Sequence, residues 1–343
     1  MIRRHGNITR SENRRDCGIG AGLVDPSFSA HLGDIRDLLR QLSSSACSNA
    51  ASDYLRSVLI LLVILVRRPT RRPLAAFVVF ILVILWWICV QPTGRGDYLP
   101  PVAVLAYPEF RGDLVTIHNL RNFDYRTRDN YDIRYEDRTY DLKQLKHVDF
   151  LINYWDGKRD IAHTALSFGF DDGQYVAVSI EIRGQKGDTY EFLRGLFKQF
   201  ELFYVIGDER DVIRVRTNYQ NEEVHLYRTN CTPEDARKLF VDFLKGAETI
   251  RTHPRFYNTL FCNCTTTLIE HINRVLPTKV PFWQRRMMNG YTDHAAYENG
   301  WLAGHDSFAE LRLKSNINAR ALKADQDPDF SQKIRTHFDQ YQR

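Results

Sequence analysis

Two cysteines lie one residue apart in the stretch FYNTLFCNCTTTLIEHINRVL, residues 256–276. Asn263 is a favourable N-cap residue and the threonines suit a first turn, so the stretch predicts a helix that begins at Cys264. At a helix N-terminus the dipole and the free N–H groups favour the thiolate, which is the nucleophilic form of cysteine. The same N–H groups can stabilise an oxyanion. Apolar residues then follow at helical spacing: Leu268, Ile269, Ile272, Val275 and Leu276.

Other interpretations of the two cysteines remain open at this point. A single cysteine at a helix start is often only a small packed residue. Two sulfurs supply half of a metal site, and a disulfide between Cys262 and Cys264 would close a strained ring. A histidine base elsewhere in the chain would favour the role of Cys264 as a nucleophile.

His163 is the histidine with the most unusual setting, because it lies in an apolar strand pattern, IAHTALSFGF. The segment 160–184 predicts a β-hairpin whose turn is Asp171-Asp172-Gly173, with the glycine where a positive φ is required. Positions that sum to 344 then face each other, and His163 pairs with Glu181. A two-residue turn would pair His163 with Ile182 and mix the polar and apolar faces, so the first register is preferred.

The hairpin register suggests a catalytic arrangement. A carboxylate beside a histidine fixes its tautomer and supports its protonated form. We therefore predict Cys264 as the nucleophile, His163 as the base and Glu181 as the third member. The rivals for the third position are Asp160, Ser179 and Asn263.

Further polar and aromatic residues are candidates for binding the substrate. Each of them has a plain alternative as a surface or packing residue. The candidates are Tyr154, Trp155, Arg183, Tyr257, Asn258 and Asn289.

Around these residues the pattern predicts an α+β domain with an antiparallel sheet. The clearest helix is 231–250, with Thr232 as its cap and an apolar stripe along one face. The segment 189–203 is expected to be helical. The polar segment 311–330 is expected to be peripheral. Strands are expected at 113–127, 146–156, 210–219 and 222–229, in addition to the hairpin.

The chain before the domain predicts one or two transmembrane helices. The run 74–90 has no charge over 17 residues and carries two tryptophans near its far end, as membrane spans do. The run 57–66 is too short to span a membrane alone, and extended back through Tyr54 it is a candidate for a tilted or partial second span. The arginines between the two runs favour a cytoplasmic loop, which places the residues after about 92 outside, in the periplasm of a bacterium.

The resulting organisation has five parts. Residues 1–53 are a poorly ordered extension, 54–91 the membrane segments, 92–107 a linker, 108–305 the periplasmic domain and 306–343 a polar C-terminal tail.

Composition excludes several classes of protein. With 43% hydrophobic and 26% charged residues, the 343-residue chain is not disordered as a whole. Six scattered cysteines make no disulfide framework and no zinc-type Cys/His spacing, so no metal or other cofactor is expected. The net charge of +5 is mild and the basic residues cluster beside the membrane runs, so we expect no nucleic-acid partner.

Several of these segments resemble the Lnb N-terminal periplasmic domain family over roughly residues 95–305. The family is named for a lipoprotein intramolecular transacylase, and the domain is similar to a permuted papain-like, NlpC-type thiol fold in which the histidine strand precedes the cysteine helix. The resemblance implies that Cys264 of NCTT is the nucleophile and His163 of IAHT the base. The segments that carry it are VTIHNLRNFDYRT, YDLKQLKHVDFLINYWDGKRDIAHTALSFGF, YVAVSIEIR, DERDVIRVRTNY, FYNTLFCNCTTTL and MMNGYTDHAAYENG.

The functional expectation is a thiol acyltransferase or hydrolase, anchored in the bacterial inner membrane, that acts on a membrane lipid or lipoprotein through a thioester. A cell-wall peptidase or amidase of the same fold is one alternative. A non-catalytic, membrane-tethered binding domain is another, and it predicts that Cys264 and His163 lie far apart.

Overall fold

The computed structural model describes residues 69–155, 157–188, 194–277, 279–280 and 289–338. The chain divides into two units, residues 1–88 and 89–343, and each is considered by itself. The helices are α1 (Arg72–Cys89), α2 (Pro100–Ala103), α3 (Glu209–Val212), a π-helical turn (Val215–Tyr219), α4 (Pro233–Thr252), α5 (Cys264–Val275), α6 (Thr292–Glu298), α7 (Phe308–Ser315), α8 (Asn318–Lys323) and α9 (Phe330–Lys333). The strands are β1 (Tyr107–Arg111), β2 (Leu114–Arg121), β3 (Asp124–Tyr125), β4 (Tyr131–Asp132), β5 (Tyr135–Asp141), β6 (Leu145–Tyr154), β7 (His163–Phe170), β8 (Tyr175–Arg183), β9 (Glu201–Gly207), β10 (Glu223–Arg228) and β11 (Arg255–Phe256).

Helix α1 is the described part of the first unit. Its 18 residues are long and apolar enough to cross a membrane. Large side chains around it are exposed, including Phe80 and Trp86. A helix that is apolar all round and unburied fits a lipid environment better than water. The predicted second run, 57–66, and the extension 1–53 lie outside the described residues.

A nine-stranded sheet forms the centre of the domain. Its strand order is β1-β2-β9-β8-β7-β6-β10, with β5 paired to β2 and β11 paired to β9. All neighbours are antiparallel except β2 and β9, which are parallel at the pair Arg121 and Gly207. The predicted α+β class with an antiparallel sheet is therefore confirmed in its main part.

The hairpin β7–β8 has the register that the sequence predicted. Ala165 lies opposite Ser179 and Gly169 opposite Tyr175, so paired positions sum to 344. Gly173 adopts φ +82°, a region that glycine enters without steric cost, which closes the three-residue loop. The even-numbered residues of β7 pack into the main core, against the phenylalanines of α4.

Helix α4 covers this core face, as the apolar stripe in its sequence predicted. Thr232 caps it by accepting a hydrogen bond from the N–H of Asp235. Phe240 and Phe243 are fully buried on the sheet. The strands expected at 146–156 and 222–229 are also present as β6 and β10, and they pair with each other.

Two expected elements are wrong. The segment 210–219, predicted as a strand, is helical: Asp208 caps α3, and the buried Asp211 accepts two hydrogen bonds from Arg121. In the segment 189–203, predicted as a helix, the described part holds a 3-10 turn at Arg194–Leu196 and then enters β9. Strand β9 is buried on both faces, so its sequence lacks the alternation of a half-exposed strand.

The segment 306–343, expected as a polar tail with a peripheral stretch at 311–330, packs onto the domain over its described residues. Phe330, Ile334 and Phe338 join Leu151 and Ala165 of the sheet in a second buried cluster. This cluster covers the sheet face opposite α4 and α5. The tail prediction failed because these apolar residues are widely spaced among charged ones.

Candidate active site

Helix α5 begins at Cys264, as predicted, because a reciprocal cap fixes its start. The side chain of Asn263 accepts a hydrogen bond from the N–H of Thr266 at 2.9 Å. The hydroxyl of Thr266 accepts one from the N–H of Asn263 at 2.8 Å. This is a capping box, which leaves Cys264 as the first helical residue with only 7% of its surface exposed.

Strand β7 begins at His163, and both neighbours of His163 are held. The side chain of Asn289 accepts a hydrogen bond from the N–H of Ala162 at 3.1 Å and donates one to the Ala162 carbonyl. On the other side, the hydroxyls of Thr164 and Thr265 are 3.1 Å apart and join the strand to the cysteine helix. These contacts bring the imidazole and the thiol together.

The imidazole of His163 lies between the thiol and a carboxylate. It interacts electrostatically with the Cys264 thiol, whose pKa it lowers. Its Nε2 is 2.6 Å from the hydroxyl oxygen of Ser179 and 3.2 Å from Oε1 of Glu181. The Ser179 hydroxyl donates to Glu181 at 2.7 Å, so its oxygen accepts from an Nε2 that carries a proton. That tautomer leaves Nδ1 for the thiol.

The ionisation of the site follows from these contacts. Burial raises the pKa of the Cys264 thiol, but the charge of His163 outweighs burial and lowers the pKa to about 7. Burial lowers the pKa of His163, but Glu181 outweighs it and raises the pKa to about 9. Burial also raises the pKa of Glu181, yet His163 and Arg216 hold it well below its usual range. A thiolate–imidazolium pair is therefore favoured near neutral pH.

Sequence reasoning missed the residues behind Glu181. Arg216, on the π-helical turn, donates to Oε1 of Glu181 at 2.6 Å and to Glu222 at 3.2 Å. Glu222 accepts from the side chain of Asn153 at 2.6 Å, and Asn153 lies opposite His163 in the ladder of β6 and β7. Because 210–219 was expected to be a strand, its arginines carried no signal that one of them reaches the site.

The rivals for the third position have different partners. Ser179 bridges His163 and Glu181, so it and Glu181 act together. Asp160 accepts a hydrogen bond from the hydroxyl of Tyr291 at 3.0 Å. The side chain of Asn263 makes the helix cap.

The substrate-binding candidates on β6 and β8 are engaged elsewhere. Tyr154 is buried, and its hydroxyl donates to the carbonyl of Gly290 at 2.8 Å. Arg183 donates to two carbonyls, those of Val102 and Ala103. Trp155 is partly exposed just after β6. None of these three contacts Cys264 or His163 among the described interactions.

Tyr257 and Asn258 lie in the segment that precedes Cys264. Tyr257 is buried in the main core. Asn258 shapes the loop before the helix: its backbone pairs with that of Cys262, and its side-chain oxygen accepts from the N–H groups of Leu260 and Phe261. Asn258 thus orders the loop from which the helix starts.

Cys262 has a packing role. It is buried and unpaired, and burial raises the pKa of its thiol. Cys264 is also a free cysteine. Within the described parts of the chain, no group of three or more His, Cys, Asp and Glu side chains could hold a metal ion.

Comparison with known proteins identifies the region that holds these residues. Searches of the curated proteins and of the solved structures gave no match. A family model does match, and its span contains Cys264, His163, Ser179, Glu181 and Arg216. Residues 131–290 of this chain match the model described as the Lnb N-terminal periplasmic domain, which confirms the resemblance drawn from the sequence motifs.

Proposed function

We propose that the protein is a membrane-anchored thiol enzyme that transfers or hydrolyses acyl groups through a thioester on Cys264. The observation that carries the proposal is the hydrogen-bonded series from His163 through Ser179 to Glu181, together with the electrostatic interaction of His163 with the Cys264 thiol. Its order is that of a nucleophile, a base and an orienting carboxylate. The domain in this proposal is a permuted papain-like one, with the histidine strand before the cysteine helix.

The reaction has two balanced steps. The Cys264 thiolate attacks the acyl carbonyl carbon, a C–S bond forms, and the leaving alcohol or amine departs with a proton from the His163 imidazolium. An amine or water then attacks the thioester and gives its proton to the neutral imidazole. The acyl group moves to this acceptor, and the thiolate is released.

The start of helix α5 suits the tetrahedral intermediates. The first N–H groups of a helix have no acceptor within the helix. The cap takes that of Thr266, and the N–H groups of Cys264 and Thr265 remain as donors beside the sulfur. They are placed to stabilise an oxyanion.

The position of the cysteine loop supports a lipid substrate. Lys198 donates to the carbonyl of Val90, the residue that follows α1 directly, at 3.0 Å. Beside it, Phe197, Leu260 and Phe261 expose 61%, 43% and 53% of their surfaces. Exposed aromatic and basic side chains of this kind are typical of surfaces at a membrane interface.

The family's periplasmic assignment and the apolar helix are consistent with a membrane-anchored periplasmic protein. The inner membrane, with the basic residues 67–72 on its cytoplasmic side, is the location that we propose. Lipid or lipoprotein acyl groups would be within reach there.

A cell-wall peptidase would use the same residues on an amide in peptidoglycan. The contact between Cys264 and His163 argues against a purely scaffolding domain, because such a domain has no need to lower the pKa of a buried thiol.

The test is detection of the acyl-enzyme. We expect that the full chain, incubated with vesicles of diacyl phospholipid or a diacylated lipopeptide, gains one acyl mass on the peptide that contains Cys264. Cys264→Ala should lose the adduct, and Cys262→Ala, two residues away and equally buried, should keep it. Absence of any adduct, together with release of peptide from peptidoglycan, would replace the acyl assignment with the peptidase.

A further inference from the structure

A large apolar cleft lies beside the cysteine helix. Its volume is about 900 Å³, which is within the range of small-molecule sites. Strands β6 and β7 form its floor, and α4, α5 and the segment that contains α6 form its walls. Leu166 of β7 and Leu239 of α4, both buried, are among the residues that line it.

The cleft follows one face of α5 away from the nucleophile. Leu268, Ile272 and Leu276 all line it, and they lie one, two and three turns beyond Cys264. A helix rises about 1.5 Å per residue, so the cleft starts about 6 Å along the axis from Cys264 and continues for about 12 Å more. Cys264 is not among the described residues that line the cleft, so a chain attached to its sulfur would reach the cleft about one turn along α5.

The polar groups of the cleft are at its rim. Asp235, His294 and Glu298 line it there, and their side chains are 26%, 47% and 63% exposed. The deeper lining is apolar and includes Phe150 as well as the leucines. The cleft thus has a solvated edge and an apolar interior, as the sites of amphipathic ligands do.

A hydrocarbon chain suits this interior better than a peptide. A bound peptide must find partners for its N–H and C=O groups. In the helices that form the walls, the backbone N–H and C=O groups are hydrogen-bonded within each helix. In the floor, the backbone groups of β6 and β7 are hydrogen-bonded between the strands. Water is held poorly where polar partners are few, and protein interiors keep few voids larger than one water molecule.

We propose that this cleft binds the acyl chain of the substrate, with its carbonyl end at Cys264 and its methyl end toward Leu276. The proposal rests on the proposed function and adds to it the place where a linear, long-chain acyl group binds. Selectivity would come from the length of chain that the cleft buries, because each methylene adds to the binding free energy.

The test uses α-bromoalkanoates of increasing chain length on the full chain in lipid vesicles. The thiolate displaces bromide in a single step, so no turnover is needed, and peptide mass spectrometry gives the rate at each cysteine. The rate at Cys264 is divided by that at Cys89, the exposed cysteine at the end of α1, which cancels the partition of longer chains into the membrane. We expect this ratio to rise up to about fourfold per methylene until the cleft is filled.

A bulky substitution in the cleft supplies the second readout. Ile272→Trp should cut off the rise at a shorter chain. Val275→Trp is the matched control, since Val275 is on the same helix and packs against the core without lining the cleft. A wild-type ratio that does not change with chain length, or the same cut-off in both variants, would overturn the acyl site.

The two proposals can fail separately. Chain-length-dependent alkylation without any acyl-enzyme would reject the enzymatic function and support the binding site. Detection of an acyl-enzyme, together with an alkylation ratio that does not change with chain length, would support the enzymatic function. It would reject the cleft as the acyl site.

Discussion

The substitution His163→Ala tests the origin of the reactive thiolate most directly. Two opposing effects set the pKa of Cys264: burial raises it, and the charge of His163 lowers it. The substitution removes the second effect and keeps the first. The pKa of the thiol should then rise from about 7 to its ordinary value of 9.0 or above.

The size of this change can be worked out from the two values. Two pH units correspond to about 3 kcal/mol in favour of the thiolate, supplied mainly by the imidazolium. At about pH 7.5 a thiol of pKa near 7 is about three quarters ionised, and one of pKa 9 is about 3% ionised, a loss of about 25-fold in thiolate. A more basic thiolate is also intrinsically more nucleophilic, which offsets part of this loss in rate.

The assay is therefore the rate of alkylation of Cys264 by iodoacetamide as a function of pH, followed by peptide mass spectrometry. Its midpoint, not the rate at one pH, reports the pKa. His271→Ala is the matched control: His271 is a buried histidine on α5, hydrogen-bonded to Tyr204 and Asp242. If the midpoint of His163→Ala stays near 7, the imidazolium does not activate the thiol and the reasoning fails.

Three further predictions concern Glu181 and Ser179, which contact His163, and Arg335, on the sheet face opposite α4 and α5. Glu181→Gln should lower the pKa of His163 from about 9, because burial and Arg216 are then opposed by Cys264 alone; the alkylation midpoint should rise, and an unchanged midpoint would contradict this. Ser179→Ala should cost less than about tenfold in acyl-enzyme formation, because Glu181 is already 3.2 Å from the imidazole; a loss as large as that of Glu181→Gln would make the hydroxyl essential. Arg335→Leu should destabilise the domain by about 3–5 kcal/mol in a thermal unfolding assay, because it leaves the buried Glu209 without an ion pair and the buried Asp149 with Arg228 alone. Lys333→Ala, an exposed neighbour, should cost less than about 1 kcal/mol, and equal losses in both variants would argue against the buried network.

The catalytic core was predictable because local chemistry determines it. Asp171-Asp172-Gly173 permits one turn geometry that keeps the faces of the hairpin apart, and that turn aligns His163 with Glu181. Asn263 and Thr266 supply two halves of one cap, which fixes Cys264 at the helix start. Each inference needed only residues close together in the sequence.

The residues that were missed depend on long-range contacts. Arg216 reaches Glu181 only because 209–219 is helical, and that segment is helical because Asp211 is held by Arg121, 90 residues away. Strand β9 lacks the period-2 signal since both of its faces are buried. Neither fact can be obtained from a local pattern.

The buried network of Arg335 has a consequence for how the protein is divided. Arg335 ties α9 to Asp149 of β6 and Glu209 of α3, both fully buried, over separations of 186 and 126 residues. A fragment cut at the edges of the family match, 131–290, would lack this arginine, the helix α9 that precedes it and the strands β1 and β2. The segment that a family model recognises is thus shorter than the segment that folds, and the smallest stable fragment should extend from about Tyr98 to Phe338.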